Sequence, residues 1–450
     1  MTAHKHLKEL VRARMRKTNE SYTTARRHIL REVEVLRDTS PGRWHLPGNI
    51  PATSALRILL TAAGVCDRRN GQPFSEAMLF GICGGVGMGL ASFYYDKWNF
   101  STFFIGGRHL WNDDRAYLEA ALARFGIKPA IREASGKKDA AKQLREVLGE
   151  GRPCIAWVDM AELPHRGMPA MFSGGGYHVV TVYEIDDDRG IALIGDLTDL
   201  PIEISFDQFA VARGRIKQFK NRLLSIPKSE DAADLSARIR PGLQACHDGL
   251  KRGSGRGAAA MSGLEVLEKW KMQLATSRSK ESWEGLFPRG HRLWQGLTSI
   301  YDFIENYHTG GGLCRPLFSE FLAEASELSG WERLGTLSKQ YADLGEQWSE
   351  LALAAIPQDV PEFRTVRELC VLRAELRSVG DPADVEKIRD VWARLSELRK
   401  DAAKNFPLSE SQCADLQELL HDKVGALLDA EQAAHASLGD ALKLGGGHVA

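Results

Sequence analysis

The residues best suited to chemistry lie in one short stretch, from Ser173 to Asp196. A run of three glycines leads into a β-branched strand that carries His178 near its start. An Asp-rich turn closing on Gly190 reverses the chain, and a second apolar strand ends at Asp196. This pattern predicts a β-hairpin. A carboxylate beside an imidazole can hold its tautomer and stabilise its charged form, so the hairpin offers a candidate acid–base pair.

The register of the hairpin decides whether the two groups can meet. If Ile185 pairs with Ile191, Asp196 lies opposite Val180. His178 is then a diagonal neighbour on the same face, roughly 7–8 Å away at the backbone and within side-chain reach. The alternative is a core hairpin with an incidental histidine at its rim.

A second glycine-rich stretch, Phe80–Leu90, surrounds Cys83. We interpret it as a helix start, whose positive end would stabilise a thiolate. The alternative is a small buried hydrophobe in tight helix packing. No Lys-Ser/Thr pair follows the glycines, so the stretch is not a phosphate-binding Walker loop.

A third stretch combines Gly310, Gly311 and Gly312 with Arg315, between two predicted helices. Backbone N–H groups and a guanidinium can together hold an anionic or carbonyl group. The alternative is a sharp interhelical turn in which Arg315 pairs with a local carboxylate. The residues alone leave both readings open.

Composition excludes several classes of protein. The chain has 450 residues, 59 basic and 59 acidic, so its net charge does not argue for nucleic acid or membrane. No run of about 18 apolar residues predicts a membrane span. Seven scattered cysteines without a CxxC pair favour reduced thiols in the cytoplasm and give no zinc-site spacing. We expect no metal and no bound cofactor.

The periodicity predicts an α+β fold with three parts. Residues 1–38 are a basic helical arm, 39–228 an α+β domain with a mostly antiparallel sheet, and 229–450 an all-α domain. Linkers are expected near 39–49, 228–232 and 252–257, and a frayed tail from Gly445. The exposed helical domain leaves an oligomer open.

The basic arm also allows two interpretations. It could contact nucleic acid or an acidic partner such as a carrier protein, or it could be a charged face packed on the next domain. Direct nucleic-acid binding is the least favoured, because nothing else in the chain is basic. The arm's basic residues are Lys5, Lys8, Arg12, Arg14, Arg16, Lys17, Arg26, Arg27 and Arg31.

Several motifs together resemble the butirosin biosynthesis protein H family over about residues 45–355. The matching stretches are Ala55-Leu56-Arg57, Ser75–Gly81, the hairpin with His178 and Asp196, and Thr309–Arg315. The resemblance implies a papain-like cysteine-peptidase fold followed by a helical domain. It also implies an acyltransferase of bacterial secondary metabolism, which moves an acyl group from a carrier-protein thioester to an amine through a cysteine acyl-enzyme.

Under this resemblance His178 is the general base and Asp196 its orienter, and the acyl donor would be bound to phosphopantetheine on an acyl carrier protein. The family commonly has a His-Cys pair where this chain has Ile50-Pro51. Either Cys83 has taken the nucleophile's role, or acyl-enzyme chemistry is lost. In the second case the protein would be a direct transferase or amide hydrolase using His178, or a non-catalytic binding protein.

Ser54 and Thr53 are other hydroxyls near the family's nucleophile position. If Cys83 is the nucleophile, the amides around Gly84 and Gly85 would supply the oxyanion donors. We expect a small-molecule substrate to contact one set of residues in particular: Gly84, Gly85, Gly175, Tyr177, Gly310, Gly311, Gly312 and Arg315.

Overall fold

The structure is a computed structural model. It describes residues 3–18, 20, 22–32, 43–95, 97, 99–108, 114–228, 234–251, 262–275 and 279–444. Parts of the expected linkers and the expected frayed tail, at 39–42, 229–232, 252–257 and 445–450, lie outside the described residues.

Helices dominate the described chain, and the strands lie in its first half. The helices are α1 (Ala3–Thr18), α2 (Tyr22–Glu32), α3 (Pro51–Ala62), α4 (Glu76–Ile82), α5 (Asp114–Arg124), α6 (Lys137–Leu148), α7 (Phe206–Gly214), α8 (Ser236–Gly249), α9 (Glu265–Ala275), α10 (Trp283–Leu286), α11 (His291–Glu305), α12 (Arg315–Ser329), α13 (Glu332–Ala355), α14 (Pro361–Val379), α15 (Val385–Lys404) and α16 (Glu410–Leu444). The strands are β1 (Val86–Tyr95), β2 (Phe100–Arg108), β3 (Ala130–Arg132), β4 (Cys154–Asp159), β5 (Tyr177–Asp186), β6 (Ile191–Gly195), β7 (Ile202–Ser205) and β8 (Leu223–Ser225).

The chain divides into two compact units, each assembled from separate segments. The first unit comprises Met1–Glu76, Leu118–Asp234 and Leu372–Ala393, and the second comprises Ala77–Tyr117, Leu235–Val371 and Arg394–Ala450. The α+β class and the helical C-terminal region are confirmed. The domain bounds expected from the sequence, 1–38, 39–228 and 229–450, stay a prediction.

A six-stranded antiparallel sheet organises the first unit, in the order β3-β8-β4-β5-β6-β7. Strand β4 is buried along its whole length. Its alternate residues share a core with Leu144 of α6 and Phe209 of α7. Ile58 of α3 instead packs with Tyr183 of β5. Because successive strand residues point to opposite faces, helices cover both sides of the sheet.

Helix α3 begins at Pro51, whose fixed φ suits the first helical position and whose missing N–H is no loss there. The Glu76 carboxylate accepts hydrogen bonds from the backbone N–H groups of Asn49 and Ile50 at 2.9 Å. Glu76 therefore supplies the negative charge that a helix N-terminus favours.

The second unit contains the antiparallel β1–β2 hairpin and the helices of the C-terminal half outside Leu372–Ala393. Phe103 of β2 packs its ring on Trp270 and Trp283, with centroids 4.8 and 5.3 Å apart. These aromatic contacts anchor the hairpin because large rings bury the most apolar surface.

The expectation that Cys83 lies at a helix start is wrong. Helix α4 ends at Ile82, and Gly84 follows with φ +73°. The N–H of Gly85 donates to Phe80 O at 2.7 Å and that of Gly84 to Gly81 O at 2.9 Å. This is the glycine-dependent ending of a helix, and the remaining glycines belong to strand β1.

The N-terminal helices pack within the first unit. Arg12 donates to Glu375 at 2.9 Å, and the Tyr22 hydroxyl lies 2.9 Å from that of Ser378. Arg26 is buried and pairs with Asp199. Two of the arm's arginines are therefore engaged by carboxylates of their own unit, as the packed-face interpretation requires.

Candidate active site

The β5–β6 hairpin positions His178 and Asp196 by a register that differs in detail from the expected one. Its end pair is Asp186–Ile191, one residue away from Ile185–Ile191. An irregularity at Tyr183 then shifts the register by one, so that Thr181 pairs with Gly195. The two offsets cancel, and Asp196 follows opposite Val180 as expected.

The Asp196 carboxylate is the centre of a buried polar cluster in the first unit. His178 Nε2 lies 2.7 Å from Asp196 Oδ1, and His165 Nε2 lies 2.9 Å from Oδ2. Arg166 donates from Nε to Oδ2 and from Nη2 to Oδ1, both at 2.8 Å. The N–H of Leu197 also donates to Oδ1 at 2.8 Å. All four side chains are at most 5 % exposed.

The surroundings fix the charge states of the cluster. Burial by itself would raise the pKa of Asp196, but Arg166 and the two histidines outweigh it and hold that pKa well below its usual range. Burial first, and then the Arg166 charge, lowers the pKa of His178 to about 4. Burial also lowers the pKa of His165. At neutral pH the cluster is an ionised pair flanked by two neutral imidazoles.

His178 Nε2 has two polar neighbours. It lies 2.7 Å from Asp196 Oδ1 and 2.8 Å from Arg166 Nη2, which itself donates to the same Oδ1. A neutral imidazole donates from one ring nitrogen and accepts on the other, and these contacts fit either tautomer. His178 is therefore a neutral imidazole held between a carboxylate and a guanidinium.

A second buried histidine supports the hairpin from the N-terminal segment. His45 Nε2 donates to the Thr198 carbonyl at 2.8 Å, and Nδ1 accepts from the Tyr183 hydroxyl at 2.8 Å. Burial lowers the pKa of His45 to about 4. A methyl group on Gly195 would lie 2.2 Å from the Tyr183 hydroxyl oxygen, so only glycine fits beside this ring.

A narrow cleft, too small to admit a water molecule, lies between α3 and the hairpin. Pro51 and Ser54 of α3 line it together with Val179, Gly195 and Asp196. The hydroxyl of Ser54 reaches Leu46 O at 3.5 Å. Pro51, which stands where the resemblance places the family's cysteine, therefore borders the same cleft as Asp196.

The glycine loop before β5 lies at the surface beside His178. Gly175 is exposed, and Tyr177 is half-buried with its ring 5.3 Å from that of Phe219. The N–H of Gly174 donates to the Asp159 carboxylate, which fixes the loop to the end of β4. Burial raises the pKa of Asp159 despite this hydrogen bond. Gly175 and Tyr177 remain predicted substrate contacts.

Cys83, Gly84 and Gly85 belong to the second unit, whereas His178 and Asp196 belong to the first. Cys83 is 2 % exposed at the C-terminal end of α4. The partial negative charge of a helix C-terminus disfavours an anion there. The N–H groups of Gly84 and Gly85 bond to carbonyls of α4, so they close the helix and are not held ready for an oxyanion.

Gly310, Gly311 and Gly312 have φ values of 69°, 86° and 50°, which glycine adopts most easily. Arg315 is fully buried and pairs with Glu431 of α16 at 2.7 Å. It also donates to Gly87 O at 3.0 Å and to Leu313 O at 2.9 Å. These contacts are those of a tight interhelical turn with a paired arginine. Glu431 accepts a further hydrogen bond from Trp348 at 2.8 Å.

Sequence reasoning assigned no role to His165 and Arg166. Both lie in a 3₁₀ turn, Pro164–Arg166, within the loop that joins β4 to β5. The pairing of Asp159 with Tyr177 returns this loop to the end of the sheet that holds His178. The antiparallel pairing of β4 with β5 was therefore the sequence signal that could have found these two residues, because it places the loop between the strands near His178.

The described residues lack two kinds of feature. No group of three or more His, Cys, Asp or Glu side chains there could hold a metal ion. Within the same part of the chain, no helix is both long and apolar enough to cross a membrane. All seven cysteines lie in the described residues, and none of them forms a disulfide.

Comparison with known families matches most of the chain. Residues 52–197 match the family model described as butirosin biosynthesis protein H, N-terminal, and residues 209–387 match a domain of unknown function, DUF4872. None of the curated proteins matches significantly. The first match contains His178 and Asp196, and the second contains Arg315. The two domains in this order show that the chain belongs to the butirosin biosynthesis protein H-like family.

Proposed function

We propose that the protein is an acyltransferase of a biosynthetic pathway that moves an acyl group from a thioester to an amine, with His178 as general base. The observation that carries the proposal is the 2.7 Å contact between His178 Nε2 and Asp196 Oδ1, which pairs a neutral imidazole with a carboxylate. The family's name, which refers to butirosin biosynthesis, supports the biosynthetic setting. The papain-like fold and the phosphopantetheine-bound donor on a carrier protein belong to the same proposal.

The step we propose is direct transfer. The amine nitrogen attacks the thioester carbonyl carbon as its proton passes to the imidazole of His178. The tetrahedral intermediate then collapses, the carbon–sulfur bond breaks, and the departing thiolate takes the proton from the imidazolium. The products are an amide and a free thiol, and His178 returns to its neutral form.

The charge state of His178 favours this route over an acyl-enzyme on Cys83. A resting thiolate–imidazolium pair needs a histidine that is charged near neutral pH. Burial and Arg166 lower the pKa of His178 to about 4, so the ring is neutral there. A neutral imidazole can still accept a proton from an attacking amine during the reaction.

The test uses purified full-length protein, acyl thioesters of N-acetylcysteamine and of a carrier protein, and a panel of primary amines. Free thiol is measured by colorimetry and amide by mass spectrometry. General bases contribute on the order of 10²–10⁴-fold, so His178→Ala and His178→Gln should lose at least about 100-fold. The matched control, His421→Ala on α16, should keep wild-type turnover.

Wild-type turnover in His178→Ala would overturn the role of the base. An acyl adduct on Cys83 in the intact mass, together with loss of turnover in Cys83→Ala, would replace direct transfer by the acyl-enzyme route. Thiol release without amide would make the protein a hydrolase. Alkylation near pH 6 measures the reactivity of the Cys83 thiol directly. Cys154 serves as an inert reference, because burial raises its pKa to about 12.

A second candidate is a binding protein without turnover. The His178 side chain is 1 % exposed, and among the described residues the cleft wall includes Asp196 but not His178. In this case the His–Asp cluster would be a structural remnant, and calorimetry would detect binding of the carrier protein with no product.

A further inference from the structure

Arg166 of the first unit is a buried charged group with hydrogen-bond partners on both sides of its guanidinium. Its guanidinium forms a fork on both oxygens of Asp196 and is 2 % exposed. Gly167, with φ +53°, ends the turn that carries it. A methyl group on Gly167 would lie 2.9 Å from Ile388 Cγ2, so the turn is packed closely on α15. The backbone therefore gives the guanidinium little freedom to leave the carboxylate.

The same guanidinium also contacts the proposed base. Arg166 Nη2 lies 2.8 Å from His178 Nε2, and both point at Asp196 Oδ1. A proton added to His178 would create a second positive charge against this fixed one. Asp196 is already neutralised by Arg166, so it offsets that repulsion only in part.

We propose that Arg166 is a positioning residue for the reaction: it holds the Asp196 carboxylate beside His178, and its fixed charge keeps that ring neutral. The role in catalysis rests on the proposed function. The coupling between the two side chains rests on their contacts alone.

The other charged groups around the ring determine how far the effect reaches. Besides Arg166, the Asp196 carboxylate favours a charged His178, and the more distant Arg377 of α14 opposes it. His165 is held neutral by burial and bonds to the far oxygen of Asp196. Among the described residues, Arg166 is the only one of these cations within hydrogen-bond distance of the ring. Its removal should therefore change the His178 midpoint more than the removal of Arg377 would.

The first test is an NMR titration of the histidine rings in full-length protein labelled on histidine, with the His178 signals assigned by their loss in His178→Gln. In wild type, His178 should stay neutral down to about pH 5, because its pKa is lowered to about 4. In Arg166→Gln its midpoint should rise above the wild-type value, because the repulsion is gone and Asp196 is free to pair with the imidazolium.

Two further variants separate charge from geometry and from general damage. Arg166→Lys keeps the positive charge but loses the fork, so His178 should titrate between the wild-type and Arg166→Gln values. The matched control is Arg222→Gln, an arginine of the same unit that pairs with Glu133. It should leave the His178 midpoint unchanged.

The second test is the pH dependence of kcat/KM. After division by the fraction of unprotonated amine substrate, wild type should lose less than about twofold between pH 8 and pH 5.5, whereas Arg166→Gln should lose more as its His178 becomes protonated. If Arg166→Gln does not fold, Arg166→Lys provides both readouts.

The outcomes distinguish this inference from the proposed function. An unchanged His178 midpoint in folded Arg166→Gln, or in Arg166→Lys where only that variant folds, overturns the inference whatever the turnover. A shifted midpoint in a protein without turnover supports the coupling and overturns the proposed function.

Discussion

Both oxygens of the Asp196 carboxylate are occupied by hydrogen bonds from its own cluster. Its two oxygens accept from Arg166, from both neighbouring histidines and from the backbone. A carboxylate buried without such donors would be neutralised by a proton, which would abolish its hold on His178. The reactivity of His178 is therefore set by residues that a substrate does not need to touch.

The balance of charge in this cluster makes a prediction at the residue scale. Asp196→Asn leaves Arg166 buried without a counter-charge, and breaking a buried pair in this way costs about 3–5 kcal/mol of the free energy of unfolding. Urea denaturation measures the loss. The double variant Asp196→Asn/Arg166→Gln should be less destabilised than the sum of its single variants.

Asp187→Asn is the matched control, because Asp187 pairs with Arg145 at the surface and should leave the denaturation midpoint nearly unchanged. Strict additivity of the Asp196 and Arg166 variants would show that the two side chains do not form an energetic unit.

At the scale of elements, the β5–β6 hairpin carries the site because of its irregularity at Tyr183. A one-residue change of register normally moves every side chain to the opposite face. Here the irregularity restores the register before Asp196, and it also directs Tyr183 to His45. The hairpin thus fixes both the catalytic candidate pair and the buried network behind it.

This arrangement predicts that Gly195→Ala is destabilising. The added methyl group would lie 2.2 Å from the Tyr183 hydroxyl oxygen and would push the ring away from His45. Overpacking of this kind typically costs about 1–3 kcal/mol. Thermal denaturation should show a lower Tm than for Gly214→Ala, where the new methyl group lies 3.6 Å from Asn221 Oδ1. Equal Tm values for the two variants would contradict the argument.

At the scale of the whole molecule, both units bury arginine–carboxylate pairs. The first unit has Arg26–Asp199 and Arg166–Asp196, and the second has Arg315–Glu431. The units differ in their histidines, because His45, His165 and His178 of the first unit are all buried and held neutral. This difference makes the first unit the more sensitive to acid.

Folded His45 has a pKa of about 4 against an ordinary value of 6.5, so the unfolded chain binds the proton first as the pH falls. The stabilisation is complete above about pH 6.5 and is lost progressively as the pH falls towards 4. For His45 alone it is worth about 3 kcal/mol. Hydrogen exchange at pH 5 and pH 7.5, corrected for intrinsic rates, should show a larger loss of protection in the first unit than in the second.

His45→Gln should reduce this acid sensitivity, whereas His421→Gln should not. Equal loss of protection in both units, or an unchanged response in His45→Gln, would contradict a titration of buried histidines.

The sequence by itself determined the α+β class, the helical C-terminal half, the hairpin and the neighbourhood of His178 and Asp196, because periodicity and strand register are local properties. The tertiary structure alone decided the partners of Asp196. Arg166 and His165 reach it through a loop whose path depends on strand pairing. It also decided the fate of Cys83, since the same glycines can begin a helix or end one. The Arg315–Glu431 pair spans 116 residues of sequence, a separation at which only packing selects the partner.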